Sequence, residues 1–230
     1  MCRVFLFPSS ISASSCLNNF IATESQPLFV YVCAFIIKSN ICMINRTVSM
    51  LLLLWSLAAC EKTTIPEGFK EYIIPKGAHY ATENSYRVVN KTELHFIALF
   101  DSSCIYTAVD PKNRTDINKL YGFSDCGSFH QQNSARVGWV WNGKAVELYA
   151  YCYADSIRSS KLLGSLTIGT PAELSIRPEG GQYRFELKGS PVIFMKRGCT
   201  TAGISGYQLY PYFGGDEVAP RDVHIYIKEL

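Results

Sequence analysis

The stretch Asp116–Tyr153, DINKLYGFSDCGSFHQQNSARVGWVWNGKAVELYAYCY, decides the reading of this chain. It carries two of the three tryptophans, one of the four histidines, and an Asn142-Gly143 pair between two apolar-rich arms. Asn-Gly favours the positive φ values of a type I′ turn, which predicts a β-hairpin with arms Ala135–Trp141 and Lys144–Tyr153. Successive strand side chains point to opposite faces, so Leu148, Ala150 and Cys152 are expected to face a core, and Glu147, Tyr149, Tyr151 and Tyr153 the other side. Ahead of the hairpin, Asp116–Leu120 reads as a single helical turn capped by Asp116, and Ser124–Gln132 as a polar loop.

Outward from this hairpin the chain is short apolar runs separated by turn residues. Phe69–Ile74 stops at Pro75-Lys76-Gly77. Ser85–Val89 is a short candidate, and Thr92–Phe100 is nearly continuous apolar after Leu94, as in a central strand buried on both faces. Cys104–Val109 follows after a break, then the turn-rich loop Asp110–Asp116. Leu162–Ile168, Glu173–Arg177, Gln182–Leu187 and Val192–Met195 are punctuated by Gly-Thr-Pro, Pro-Glu-Gly-Gly and Lys-Gly-Ser. In Gln182–Leu187 the residues Tyr183, Phe185 and Leu187 point inward, and Gln182, Arg184 and Glu186 outward. Gly198–Gly206 is a small-residue loop, Tyr207–Phe213 an aromatic run, and Val223–Ile227 a last strand. About ten to twelve short strands with regular turn signals and no long helix predict an all-β domain, a single β-sandwich of jelly-roll architecture.

The N-terminal part reads differently. Met43-Ile44-Asn45-Arg46 supplies a start and a positive charge, Met50–Ser56 a short apolar core, and Leu57-Ala58-Ala59-Cys60 a small-residue site ending in cysteine. That order is a lipoprotein signal peptide, with Cys60 as the lipidated residue. The apolar run Leu28–Ile37 is far shorter than the roughly 20 residues that span a bilayer. The expected organisation is an over-extended or non-native leader over 1–42, a signal peptide over 43–59, a tether over 60–68 and the sandwich over 69–230. The expected location is a bacterial envelope, outer membrane or cell surface.

The whole chain carries 22 Lys and Arg against 19 Asp and Glu. Much of that excess comes from Arg3, Lys38 and Arg46 against Glu24, so the remainder is close to neutral. No basic stripe points to nucleic acid. Cys104, Cys126, Cys152 and Cys199 allow three pairings or none, and the absence of any Cys-x-x-Cys argues against structural zinc.

Glu173–Met195, ELSIRPEGGQYRFELKGSPVIFM, resembles a pattern recurrent in concanavalin-like jelly rolls: strand, Gly turn, aromatic strand, second Gly turn, apolar strand. That fold is shared by lectins, glucanases and some polysaccharide lyases. The combination LYGFSDC (Leu120–Cys126), NSARVGW (Asn133–Trp139) and LYPYFGGDEVAP (Leu209–Pro220) is similar to a family of uncharacterised bacterial surface lipoproteins, a likeness that implies no activity. Neither the acidic strand of laminarinases nor the Gln-Ile-His motif of alginate lyases is present.

Three chemistries compete. Tyrosine rings stack on sugar faces while their hydroxyls hydrogen-bond, so Tyr149, Tyr151 and Tyr153, with Trp139, Trp141, Asn133, Arg136 and Arg184, make a candidate glycan-contact surface. A lyase needs a base, an acid for the leaving oxygen and a cation for the uronate carboxylate; His130, Tyr151 and Arg136 supply those residue types. Asp125 and Glu147 would be the carboxylates of a glycosidase. No cofactor is required; Asp110, Asn113 and Asp116 are the oxygen ligands on offer for Ca2+, with Asp101 or Asp216 nearby. The leading expectation is a lipid-anchored, non-catalytic glycan-binding module. Behind it stand a polysaccharide lyase acting on uronic-acid polysaccharide, and a structural lipoprotein that docks a protein partner.

Overall fold

The computed structural model describes residues 65–230; the leader, the signal peptide and Cys60 lie outside the described residues. In chain order the strands are β1 Lys70–Ile74, β2 Val88–Lys91, β3 Leu94–Phe100, β4 Asn118–Ser124, β5 Ser134–Trp141 and β6 Val146–Ala154. They continue as β7 Ile157–Leu166, β8 Ala172–Glu179, β9 Gln182–Leu187, β10 Ile193–Lys196, β11 Ile204–Leu209 and β12 Val223–Glu229. They form two six-stranded antiparallel sheets, ordered β1-β12-β3-β8-β9-β10 and β2-β11-β4-β5-β6-β7. This is the all-β jelly-roll sandwich that the turn spacing predicts.

The two inner faces meet as the alternation requires. From the first sheet come Leu94, Phe96, Phe100, Leu174, Ile176, Tyr183, Phe185 and Ile225; from the second, Phe123, Val137, Trp139, Leu148, Ala150 and Cys152. Phe100 packs on Trp139 at 5.4 Å between ring centroids, and Phe123 on Tyr183 at 6.0 Å. Burying each such ring contributes about 1.5–3 kcal/mol, so this layer supplies most of the drive to fold.

Several local expectations change. The hairpin β5–β6 forms, with Trp141 opposite Val146. Its turn is shifted by one residue: Asn142 N donates to Ala145 O, and φ is +92° at Gly143, the first central residue, where type II′ turns place glycine. The Asn142 side chain accepts from the Lys144 and Ala145 amides, which draws the turn forward. β3 alternates rather than being buried throughout, because its outer residues His95, Ile97 and Leu99 are only half covered. Asp116–Leu120 holds no helical turn; a 3-10 turn lies at Pro111–Thr115 and Asn118 already starts β4. Cys104–Val109 is not a strand but follows a 3-10 turn capped by Asp101.

One end of the sandwich is locked by a buried ion pair. Asp125, fully buried, accepts from Arg197 Nε at 2.8 Å, Tyr183 OH at 2.9 Å and Ser205 N at 2.9 Å. Arg197 donates onward to the carbonyls of Thr201 and Gly203, both at 2.6 Å. Beside it Cys126 is disulfide-bonded to Cys199, tying the β4–β5 loop to the β10–β11 loop. Cys104 and Cys152 are free, and burial pushes both thiols up. Asp125 is therefore a structural anchor, and the expectation that it pairs with Glu147 as a glycosidase carboxylate is corrected: Glu147 lies on β6, hydrogen-bonded to Asn142 and Tyr149.

Glu229 of β12 stitches the two sheets along another edge. It accepts from Tyr121 OH at 2.6 Å and Lys91 Nζ at 3.0 Å, and pairs with Arg87. Burial disfavours its charge, but the bonds from Tyr121, Arg87 and Lys91 prevail and bring its pKa down to about 2. A carboxyl depressed in the folded state stabilises above its unfolded pKa, and that stability is lost as pH falls through the folded value. Stability is expected to decline between about pH 4.5 and 2 by about 1–2 kcal/mol, discounted because Arg87 and Lys91 are nearly half exposed. Chemical denaturation across that range should show a smaller acid loss in Glu229→Gln, which is already destabilised at pH 7.

Candidate functional site

The outer face of the second sheet carries a groove of about 580 Å³. Its floor is built by register. Arg136 of β5 stands opposite Gly122 of β4 and Tyr151 of β6, and Tyr153 of β6 stands opposite Arg158 of β7. Gly122 leaves room for the arginine: a Cβ there would lie 2.6 Å from Arg136 Cγ and 2.2 Å from the Ala135 carbonyl oxygen. The register shift between Lys119 and Tyr121 puts both Leu120 and Tyr121 in the core and leaves Lys119 on the groove side. Tyr212, bridged to Lys119 through both backbone bonds (2.8 and 2.9 Å), and Tyr207 of β11 line the same space. Tyr80 and Tyr86 stand exposed at the rim.

Charge distinguishes this groove from the smaller cavity on the first sheet. Its lining, among the described residues, includes Lys119, Arg136, Arg158 and His130 and no carboxylate. Among the described residues none of the three cations has a carboxylate within ion-pair distance. Arg136 is buried, its Nε has no hydrogen-bond partner among the described residues, and its guanidinium lies 5.4 Å from the Tyr151 ring centroid. Burial pushes its pKa down and outweighs the opposing effect of Tyr151 and Tyr153. A smaller cavity of about 290 Å³ on the first sheet makes the contrast: there Glu173 is paired with Lys188 at 2.7 Å and His95 at 3.2 Å.

At one side of the groove, His130 Nδ1 lies 2.9 Å from Tyr207 OH, and the His130 amide donates to the same oxygen at 3.1 Å. Burial and the nearby Arg136 hold His130 below the usual imidazole range, which favours its neutral form. In the tautomer that donates from Nδ1 to Tyr207, Nε2 is bare and can take a proton. Tyr151, whose burial and bond to Tyr153 hold its phenol above the usual range, keeps its proton and is no base near neutrality.

Of the residues singled out from sequence, His130, Arg136, Tyr151 and Tyr153 meet in the groove. Trp139 does not: it is fully buried between the sheets. Trp141 packs against the core edge, and Tyr149 points its hydroxyl to Glu147 at 2.6 Å. Asn133 is buried, accepting from the Asp155 amide and donating to Ser128, so it positions the loop rather than a ligand. Arg184 projects outward from β9 on the other sheet, paired with Glu186. Asp110 caps its own turn, Asn113 donates to Glu217 at 2.9 Å and Asp116 abuts Gly215. The groove residues that the sequence did not single out include Lys119, Arg158, Tyr80, Tyr86, Tyr207 and Tyr212.

No protein-family model matches the sequence, and no curated protein matches it. Solved structures similar to the chain include alginate lyase AlyC3, at 11% identity and TM-score 0.47, covering 70% of this chain and 73% of that one. The polysaccharide lyase family 18 enzyme aly-SJ02 is similar at 9% identity and TM-score 0.43, covering 70% and 86%. The carbohydrate-binding module CBM66 from Bacillus subtilis is similar at 7% identity and TM-score 0.33, covering 70% and 93%.

Proposed function

We propose that the groove binds an anionic polysaccharide, a chain of uronic acids, and that the protein presents it from a bacterial envelope through a lipid on Cys60. The observation that carries the binding reading is the set Lys119, Arg136 and Arg158, cations without carboxylate partners among the described residues, in a tyrosine-lined groove. Carboxylates of the ligand would supply the missing charge, and the rings of Tyr80, Tyr86 and Tyr212 would cover sugar faces. The anchoring part of the proposal rests on the sequence order Arg46, Met50–Ser56, Leu57–Cys60. Metabolic labelling with a fatty-acid analogue tests it: label in the native chain and none in Cys60→Ala is expected, and equal labelling contradicts it.

The His130–Tyr207 contact favours a second reading, a lyase. Bare Nε2 of His130 would remove the proton α to the uronate carboxylate, with Arg136 stabilising the carboxylate as charge builds. The electron pair would form the C4–C5 double bond, the bond from C4 to the glycosidic oxygen would break, and Tyr207 would protonate that oxygen. Incubation with mannuronan, guluronan, glucuronan and polygalacturonate separates the two readings. A rise in ultraviolet absorbance from unsaturated ends, lost in His130→Ala, supports the lyase. Saturable binding with no rise leaves the binding module.

A further inference from the structure

Lys119 is placed to tell an acidic chain from a neutral one. Its backbone is pinned by two hydrogen bonds to Tyr212, and its Nζ donates to Gly214 O at 2.9 Å. The ammonium lies 5.4 Å from the Tyr151 ring centroid and 5.3 Å from that of Tyr212. The Arg136 guanidinium lies 5.4 Å from the same Tyr151 centroid. Two cations thus share one aromatic ring, both held by the fold rather than free on a flexible surface.

Resting on the proposed glycan reading, we infer that Lys119 is a specificity-determining residue that, with Arg136, requires free acid groups on the bound sugar chain. A neutral or esterified chain would leave both cations beside the Tyr151 ring with no ligand carboxylate to neutralise them in a partly dehydrated groove. An acid chain removes that repulsion, so discrimination comes from what the wrong ligand fails to neutralise as well as from new hydrogen bonds.

The charged and titratable groups around Lys119 are Arg136 on β5, Tyr151 on β6, Arg158 on β7, Tyr212 beyond β11 and Asp116 before β4. Burial, then Arg136, lowers the Lys119 pKa to about 8, with Asp116 opposing. Tyr151 and Tyr212 are both held above the ordinary phenol range by burial, so they stay protonated to higher pH. Loss of a proton from Lys119 is therefore the change expected in the groove between pH 7 and 9.

The test is calorimetric titration with short oligomers of mannuronate, guluronate, glucuronate and galacturonate, and with their methyl esters, at pH 7 and pH 9.5. The native protein is expected to prefer the free acid and to bind it about tenfold more weakly at pH 9.5. Lys119→Met should bind the acid about tenfold more weakly at pH 7, with little further loss at pH 9.5 and a reduced preference over the ester. Lys119→Arg should bind tightly and independently of pH, which also shows that the site tolerates substitution and folds. Native-like affinity and acid preference in Lys119→Met would overturn the inference while leaving the glycan reading standing. Failure of the native protein to bind any of the oligomers would overturn both.

Discussion

Replacing Arg197 by methionine is expected to cost about 3–5 kcal/mol of folding stability, among the largest effects of any single change in the chain. The reason is asymmetric. Asp125 is fully buried and Arg197 nearly so, with side-chain exposures of 0% and 2%. Removing the arginine leaves the carboxylate, among the described residues, with Tyr183 OH and the Ser205 amide, and leaves the carbonyls of Thr201 and Gly203 without that donor. An uncompensated buried charge costs more than the pair itself contributes, so the double variant Asp125→Leu with Arg197→Met should recover part of the loss. Urea denaturation monitored by tryptophan fluorescence measures both. An Arg197→Met variant within 1 kcal/mol of the native protein would contradict the anchor role.

Arg136→Met is expected to act in the opposite sense. Arg136 is as buried as many core residues, yet has no hydrogen-bond partner for its Nε among the described residues, and burial works against its charge. Its removal should leave stability unchanged or raise it by about 1 kcal/mol, because an uncompensated cation disappears. The same variant should lose at least about 100-fold in affinity for uronate oligomers, since charge-assisted bonds contribute about 1.5–3 kcal/mol each and a guanidinium can make two. A structural arginine would show the reverse pattern, destabilisation with little change in binding. Denaturation and titration of one purified variant therefore separate a groove residue that serves ligand from one that serves the fold.

What the sequence disclosed and what it hid follow from the range of each signal. The β5–β6 hairpin was legible because Leu148, Ala150 and Cys152 alternate cleanly with the tyrosines. The β8–β9–β10 meander was legible because glycine turns bound each run. β4 was not, since its register shift puts Leu120 and Tyr121 inward in succession and erases the period of two. Gly122 is there to clear space for Arg136, a requirement set by the neighbouring strand rather than by its own. Arg184 was rightly read as outward, but outward on the first sheet is the face away from the groove. The groove itself depends on β11 lying between β2 and β4, which brings Tyr207 beside His130 and Tyr212 beside Lys119 across 77 and 93 positions of chain. The Cys126–Cys199 bridge, which leaves Cys104 and Cys152 free, likewise follows from the loops that the Asp125–Arg197 pair brings together.

Lys119, Arg136 and Arg158, without carboxylate partners among the described residues, are proposed to form a receptor for acid sugars. Titration of the native protein with a uronate oligomer and with the carboxyl-reduced, neutral form of the same oligomer tests it most directly. Saturable binding of the acid form, weakened by salt and absent for the neutral form, is the result predicted. Equal binding of both forms, or binding of neither, would contradict it.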